Sequence, residues 1–327
     1  MLDYHLHLWE HGPGPAESTL EQVAAYCERA AAAGVQEVAI TEHLSRFRQA
    51  DRVLKGWWED DASPALAQAM GAAWEEEQGA DLDRYVEVVL AAKAEGLPVV
   101  LGLEVDHYAG RMDEVGELLG GYPFDVLLGS VHWIGSWGFD NWFDPTFAGE
   151  WDRRGVEAVW DAYTDALEEL AASGACDVLA HPDLCKVTGR RPAVPDEWYD
   201  RMAEAAARCG LAAEVSTAGL NKPVGEAYPA PDLLARFVAC GVPFTTASDA
   251  HRLDRVAERR DEVRSLLAAV GCTSLQAYRD RQPRTVPLEA APKGAASRQH
   301  SVLSGQRSWP DDQLARTRSA QQRDPSG

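Results

Sequence analysis

Seven short, apolar, β-rich runs recur along the chain, each followed by a stretch of helical period, and this alternation restricts the fold more than any other feature. The runs fall at residues 2–6, 35–41, 98–106, 125–132, 177–181, 211–217 and 243–248. Between the first two, Ser18-Thr19-Leu20-Glu21 has the form of a capping box, in which a serine hydroxyl and a glutamate three residues on satisfy the free amides of a helix start. Leu20, Val23, Ala24 and Cys27 then share one face, and Gly34 ends the run. Leu82, Tyr85, Val86, Val89 and Leu90 keep the same spacing, as do Val156, Val159, Trp160, Tyr163, Leu167 and Leu170, so these stripes are expected to face a core.

Strands and helices in alternation predict an α/β fold with parallel strands joined by helical crossovers, either an open doubly wound sheet or a closed barrel. No G-x-G-x-x-G follows the first run, which weakens the case for a dinucleotide-binding sheet. Residues 45–80, with Trp57, Trp58, Trp74 and Glu75-Glu76-Glu77, are too many for a simple connection and predict a helical excursion over one end of the domain. After about Leu288 the pattern stops. Residues 291–327 are rich in Ser, Gln, Arg, Gly and Pro and are expected to form a disordered tail behind a domain spanning 1–290.

Composition excludes some partners. The chain of 327 residues carries 31 Lys+Arg against 52 Asp+Glu, a formal net charge of −21, so nucleic acid and anionic membranes would on average be repelled. The start, Met1-Leu2-Asp3-Tyr4-His5, lacks the basic and apolar regions of a signal peptide, and no run reaches the length of a membrane span. A cytoplasmic protein, monomeric or homo-oligomeric, is expected. The six cysteines show no C-x-x-C pair and read as small, partly buried hydrophobes.

The nine histidines matter through their placement. His5 and His7 close the first run, His43 follows the second, Glu104 and Asp106 close the third, and His132 and His181 end the fourth and fifth. Glu214 lies in the sixth, and Asp249 and His251 follow the seventh. In an α/β barrel the C-terminal ends of all strands meet on one rim, so these groups would surround a single cavity although far apart in sequence. His-x-His on a strand puts both imidazoles on one face. Any one of these histidines could be an ordinary core or surface residue, but a ligand-type group at nearly every strand end is hard to obtain by chance. Imidazole with carboxylate suits divalent Zn, Mn or Fe.

These motifs resemble the polymerase-and-histidinol-phosphatase (PHP) superfamily, and within it the histidinol-phosphatases of histidine biosynthesis. The matching strings are His5-Leu6-His7, Ile40 to His43, Gly102 to Asp106, Gly129 to His132 with Gly138-Phe139-Asp140, His181 to Leu184, Glu214 to Leu220 with Lys222-Pro223, and Ser248 to His251. The resemblance implies a distorted (β/α)7 TIM-like barrel with two to three divalent metal ions on its rim. One ion would be held by His5, His7, Glu104 and Asp249, and a second by His132, His181 and the same Glu104. A third would take His43, His251 and a histidine from the loop after the first strand. There the sequence departs from the family: the usual position of that histidine is occupied by Pro13, and the nearest candidate is His11, two residues earlier.

The chemistry expected of such a centre follows from charge. Clustered divalent ions neutralise a phosphate monoester dianion and lower the pKa of water, so that hydroxide is present near neutral pH for in-line attack at phosphorus. Asp249 or His251 would protonate the leaving alkoxide. Arg190, Arg191 and Lys222 are candidates to grip the remaining phosphate oxygens, and a solvated surface charge is the plain alternative for each. Glu42 and Glu214 are placed to hold ligating imidazoles by their second nitrogen, whereas His107 and His300 read as non-ligands. The resemblance implies hydrolysis of L-histidinol phosphate. The alternatives are a phosphatase or phosphodiesterase for another small ester, a non-catalytic metal-binding module, and a barrel amidohydrolase, the last disfavoured by the lack of a central-strand lysine.

Overall fold

The strand Leu2–Leu6 alternates polar Asp3 and His5 with apolar Leu2, Tyr4 and Leu6, yet all five residues are buried, so both of its faces must be covered. The computed structural model, which describes residues 1–12, 17–59 and 61–288, shows why: this strand is one stave of a parallel barrel. Strands are numbered in chain order. The barrel uses β1 (Leu2–Leu6), β2 (Glu37–Ile40), β3 (Val99–Asp106), β4 (Val126–Ser130), β7 (Val178–Leu179), β8 (Ala212–Ser216) and β9 (Phe244–Ala247), hydrogen-bonded in that order. All seven expected strands are present, most of them trimmed at their ends. Their neighbours pair in parallel, and β9 returns to β1 through a Leu6–Ala250 bridge and a His7 N–H to Ala250 carbonyl bond of 2.9 Å. The barrel is thereby nearly closed. Two glycines let its staves approach: a Cβ on Gly102 would meet Thr41 Cγ2 at 2.6 Å, and one on Gly129 would meet Cys176 Sγ at 2.6 Å.

The crossovers are helical, as the apolar stripes require. Helix α1 (Leu20–Ala32) buries Val23, Tyr26, Cys27 and Ala30. Its N-cap is Thr19, whose hydroxyl accepts from the Gln22 amide at 3.2 Å, and not Ser18 as the capping-box reading expects. The helix begins one residue later than that reading requires, and the Ser18 hydroxyl is buried with no hydrogen-bond partner among the described residues. The excursion consists of α2 (Arg48–Leu54) and α3 (Pro64–Glu77), the latter capped by Ser63 with proline in its first turn. Trp74 packs 5.3 Å from Trp58 and donates to Asp51, while Gly79 and Ala80 donate back to the Arg46 carbonyl. The excursion therefore leaves and rejoins the barrel at one place. Helix α4 (Leu82–Ala94) follows and leads into β3. The short pair β5 (Trp133–Ile134) and β6 (Trp137–Gly138) decorates the loop after β4.

A feature absent from the sequence reading closes the other end. Strands β10 (Ser274–Arg279) and β11 (Gln282–Pro287) form an antiparallel hairpin beneath the N-terminal ends of the barrel strands. Tyr278 N–H donates to the Tyr4 hydroxyl, Arg279 and Arg284 pair with Glu37 at the start of β2, and Arg281 pairs with Asp177 just before β7. Asp125 sits at the centre of this floor. Its buried carboxylate accepts from Leu101 N–H at 2.8 Å, from Lys93 at 2.5 Å and from Asp280 N–H at 3.2 Å. Asp125→Ala is expected to cost about 3–5 kcal/mol in denaturant unfolding, because it orphans a buried amide and strips a cation of its partner. Activity per folded molecule should be unchanged, and a loss below about 1 kcal/mol would show that the floor does not depend on this group. The expected tail, residues 291–327, lies outside the described residues. Among the described residues no helix is long and apolar enough to cross a membrane.

Candidate metal centre

The C-terminal ends of the barrel strands deliver their polar residues to one point, and Glu104 lies at its centre. The Glu104 carboxylate, 1% exposed, stands 3.1 Å from His5 Nε2, 3.4 Å from His7 Nε2, 2.8 Å from His43 Nδ1, 3.7 Å from His132 Nε2 and 3.1 Å from His181 Nε2. Asp249 Oδ1 closes the group at 3.7 Å from His5 Nε2 and 3.6 Å from His7 Nε2. His7 stacks between His43 and His251, with ring centroids 4.4 and 4.1 Å away. Three sets emerge with donor atoms close enough to share an ion: His5, His7 and Asp249; His5, Glu104 and His181; His7, His43 and His251. A fourth joins His43, Asp106 and His132.

The donor set fits a divalent cation. His5 Nε2, His7 Nε2, His43 Nε2, His251 Nε2 and Glu104 Oε2 are all buried with no hydrogen-bond partner among the described residues. Buried polar atoms are normally paired, and several unpaired ones facing each other mark a place for an ion. The ring states agree. Burial and the neighbouring His251 and His43 push His7 well below the usual histidine range, and burial likewise lowers His43 and His251, which leaves lone pairs for coordination. Burial works against a charge on His5 and His132 as well, but Glu214, Glu104 and Asp249 raise His5, and Asp106 with Glu104 raises His132 to about 10. The carboxylates that favour a proton there would also attract a metal cation.

Carboxylates behind the imidazoles fix their orientation. Glu214 Oε2 lies 2.8 Å from His5 Nδ1, and Asp106 holds His132 Nδ1. Each bond directs the opposite nitrogen toward Glu104. Asp106 contacts His132 through one oxygen and leaves Oδ2 buried with no hydrogen-bond partner among the described residues. Glu42 is farther from His7 Nδ1, at 3.6 Å, and instead accepts from Leu8 N–H and from Arg46 Nη1. His181 and Asp249 have positive φ, 26° and 53°, a backbone state that costs non-glycine residues roughly 1–3 kcal/mol and is typical of functional positions.

The remaining candidates are placed less centrally. His11 is mostly exposed, but its ring lies 4.5 Å from that of His251 and 5.3 Å from that of His43. Arg190 pairs with Asp152 and Arg191 with Glu226, so both guanidiniums already have carboxylate partners. Lys222 is exposed, with no side-chain partner among the described residues. His107 points away from the centre and meets Glu169 at 3.0 Å, as expected of a non-ligand, and His300 lies outside the described residues. Two contributors were not singled out in the sequence, Arg46 and Glu77. Arg46 could have been noticed from its i, i+4 spacing to Glu42, whereas Glu77 reaches the site only through the fold of the excursion.

A parallel barrel that gathers histidines around a buried glutamate at its C-terminal rim defines a class, the barrel metallohydrolases. Within it, the chain belongs to the PHP domain family, whose model matches residues 3–218. A curated protein of Deinococcus radiodurans, described as a probable histidinol-phosphatase, is 33% identical over 290 residues, covering 86% of this chain and 99% of the relative. A solved histidinol phosphate phosphatase from Lactococcus lactis subsp. lactis, complexed with zinc, L-histidinol and phosphate, matches with a TM-score of 0.63 at 20% identity, over 86% of this chain and 98% of that one. A candidate histidinol phosphatase from Listeria monocytogenes gives 0.64 at 20% identity, over 80% and 99%. These two structures share the barrel.

Proposed function

We propose that this protein is a metal-dependent phosphoric monoester hydrolase and that its substrate is L-histidinol phosphate, which it converts to L-histidinol and phosphate. The observation that carries the reading is the convergence of five histidines on the single buried carboxylate of Glu104. The likeness to the Deinococcus radiodurans protein over nearly its whole length supports the substrate.

His5, His7, Glu104 and Asp249 would hold one ion, His132, His181 and Glu104 a second, and His43, His251 and His11 a third. Zinc, manganese and iron all suit this mixture of imidazole and carboxylate. When bound, such ions neutralise the phosphate dianion and lower the pKa of water. Glu104 would be common to the first two sets of ligands. Glu214 and Asp106 keep His5 and His132 in the tautomer whose Nε2 faces inward. Asp249, with His251 Nδ1 3.7 Å away, is placed to return a proton to the leaving alkoxide. Lys222, Arg190 and Arg191 are proposed to grip the phosphate, and the two arginines would exchange Asp152 and Glu226 for it.

A panel of phosphorylated metabolites tests the substrate. Histidinol phosphate should be hydrolysed with a kcat/KM at least about 100-fold above that of a generic aryl phosphate, the discrimination available to a pocket that reads part of the leaving group. Equal values would leave a phosphatase without this substrate.

A further inference from the structure

We infer that Glu77, the last residue of helix α3, positions His11, so that the helical excursion supplies an anchor to the loop after β1. The inference rests on the proposed reading of His11 as a ligand of the third ion. His11 stands near His43 and His251 but is mostly exposed, so packing alone does not fix its ring. What fixes it is polar. His11 Nδ1 lies 3.1 Å from Glu77 Oε1 and 3.2 Å from Arg46 Nη2.

A neutral ring cannot satisfy both contacts. Arg46 can only donate, which requires a lone pair on Nδ1 and places the ring proton on Nε2. The Glu77 carboxylate can only accept, which requires the proton on Nδ1 and frees Nε2. Only the second tautomer leaves Nε2 able to coordinate, and this carboxylate–histidine arrangement is how ligating imidazoles are commonly oriented. Arg46 Nη2 then makes no hydrogen bond to the ring, and its guanidinium pairs with the carboxylate instead, with Nε 3.8 Å from Glu77 Oε2.

The same residues hold the rest of the loop. Arg46 Nη1 donates to the Trp9 carbonyl at 3.2 Å and to Glu42 at 3.2 Å, and Glu42 accepts from Leu8 N–H. Leu8, Trp9 and His11 are thus tied to one chain of charges running Glu42, Arg46, Glu77. Because α3 ends at Glu77 and the following Gly79 and Ala80 bond to the Arg46 carbonyl, the carboxylate is delivered by the point at which the excursion rejoins the barrel.

The test is metal binding by the full-length protein, measured as zinc or manganese stoichiometry and site affinities in wild type, Glu77→Ala, Glu77→Gln and His11→Ala, with the melting temperature of each metal-free protein. Glu77→Ala should weaken one ion by about 10–100-fold and leave the others, with a metal-free melting temperature lowered by no more than about 3 °C, the loss of one partly exposed ion pair. Glu77→Gln, which keeps an acceptor oxygen and the shape of the side chain, should weaken the same ion less and serves if the alanine variant does not fold. His11→Ala should lose that ion altogether. If His11→Ala keeps every ion, the reading of His11 as a ligand is wrong; if His11→Ala loses one ion while both Glu77 variants bind like wild type, the role of Glu77 is wrong and that reading stands.

Discussion

Glu104→Gln is expected to lower kcat/KM for histidinol phosphate by about a thousandfold or more and to remove bound metal in parallel. The carboxylate is in contact with five histidines, and the amide that replaces it has one acceptor oxygen, one donor group and no charge. An ion held by this oxygen pair would lose both a ligand and the anion that neutralises it. Lewis-acid stabilisation of a phosphoryl transition state amounts to several kcal/mol, and each 1.36 kcal/mol is about tenfold in rate, which gives the magnitude. Steady-state kinetics beside elemental analysis of the same preparation reads both quantities. A variant that loses thermal stability but keeps its activity would mark the cluster as a structural module. Asp125→Ala supplies the contrast, since it should lose stability and keep activity.

Exhaustive chelation should lower the melting temperature by about 10 °C, and restoring zinc or manganese should reverse the loss. The loss follows from linkage: an ion that binds only the folded state and is present at a thousand times its dissociation constant adds about 4 kcal/mol. For a domain of this size each kcal/mol moves the midpoint by roughly 2–4 °C. The effect should be large because five donor atoms converge here, buried and without hydrogen-bond partners among the described residues. Calorimetry with and without chelator measures it. An unchanged midpoint would mean that the unpaired donors are satisfied in some other way.

Much of this architecture is legible in the sequence. Apolar runs and helical stripes locate every barrel strand, because a stave buried on both faces has to be apolar or carry functional polar groups. The ligand-type residues were legible for the same reason: His5, Glu104 and Glu214 are ionisable residues within largely apolar strands. The hairpin Ser274–Pro287 was not legible. Its turn residues Asp280 and Arg281 both take positive φ, at 51° and 58°, but lack the glycine that usually announces such a turn, and the strand β11 is largely exposed. Nor could spacing distinguish the two carboxylates of β3. Asp106 and Glu104 lie two residues apart on one face of one strand, yet Glu104 stands against five histidines and Asp106 bonds to one. Arg190 and Arg191 show the limit of reading charge from sequence, since nothing in their neighbourhood announces that Asp152 and Glu226 fold against them.

The central claim is a multinuclear metal centre that hydrolyses a phosphate ester, and the metal content of purified, active protein tests it most directly. The account predicts about two to three divalent ions per chain, with activity toward histidinol phosphate rising and falling with that content. Full activity in protein carrying well below two ions per chain would contradict it.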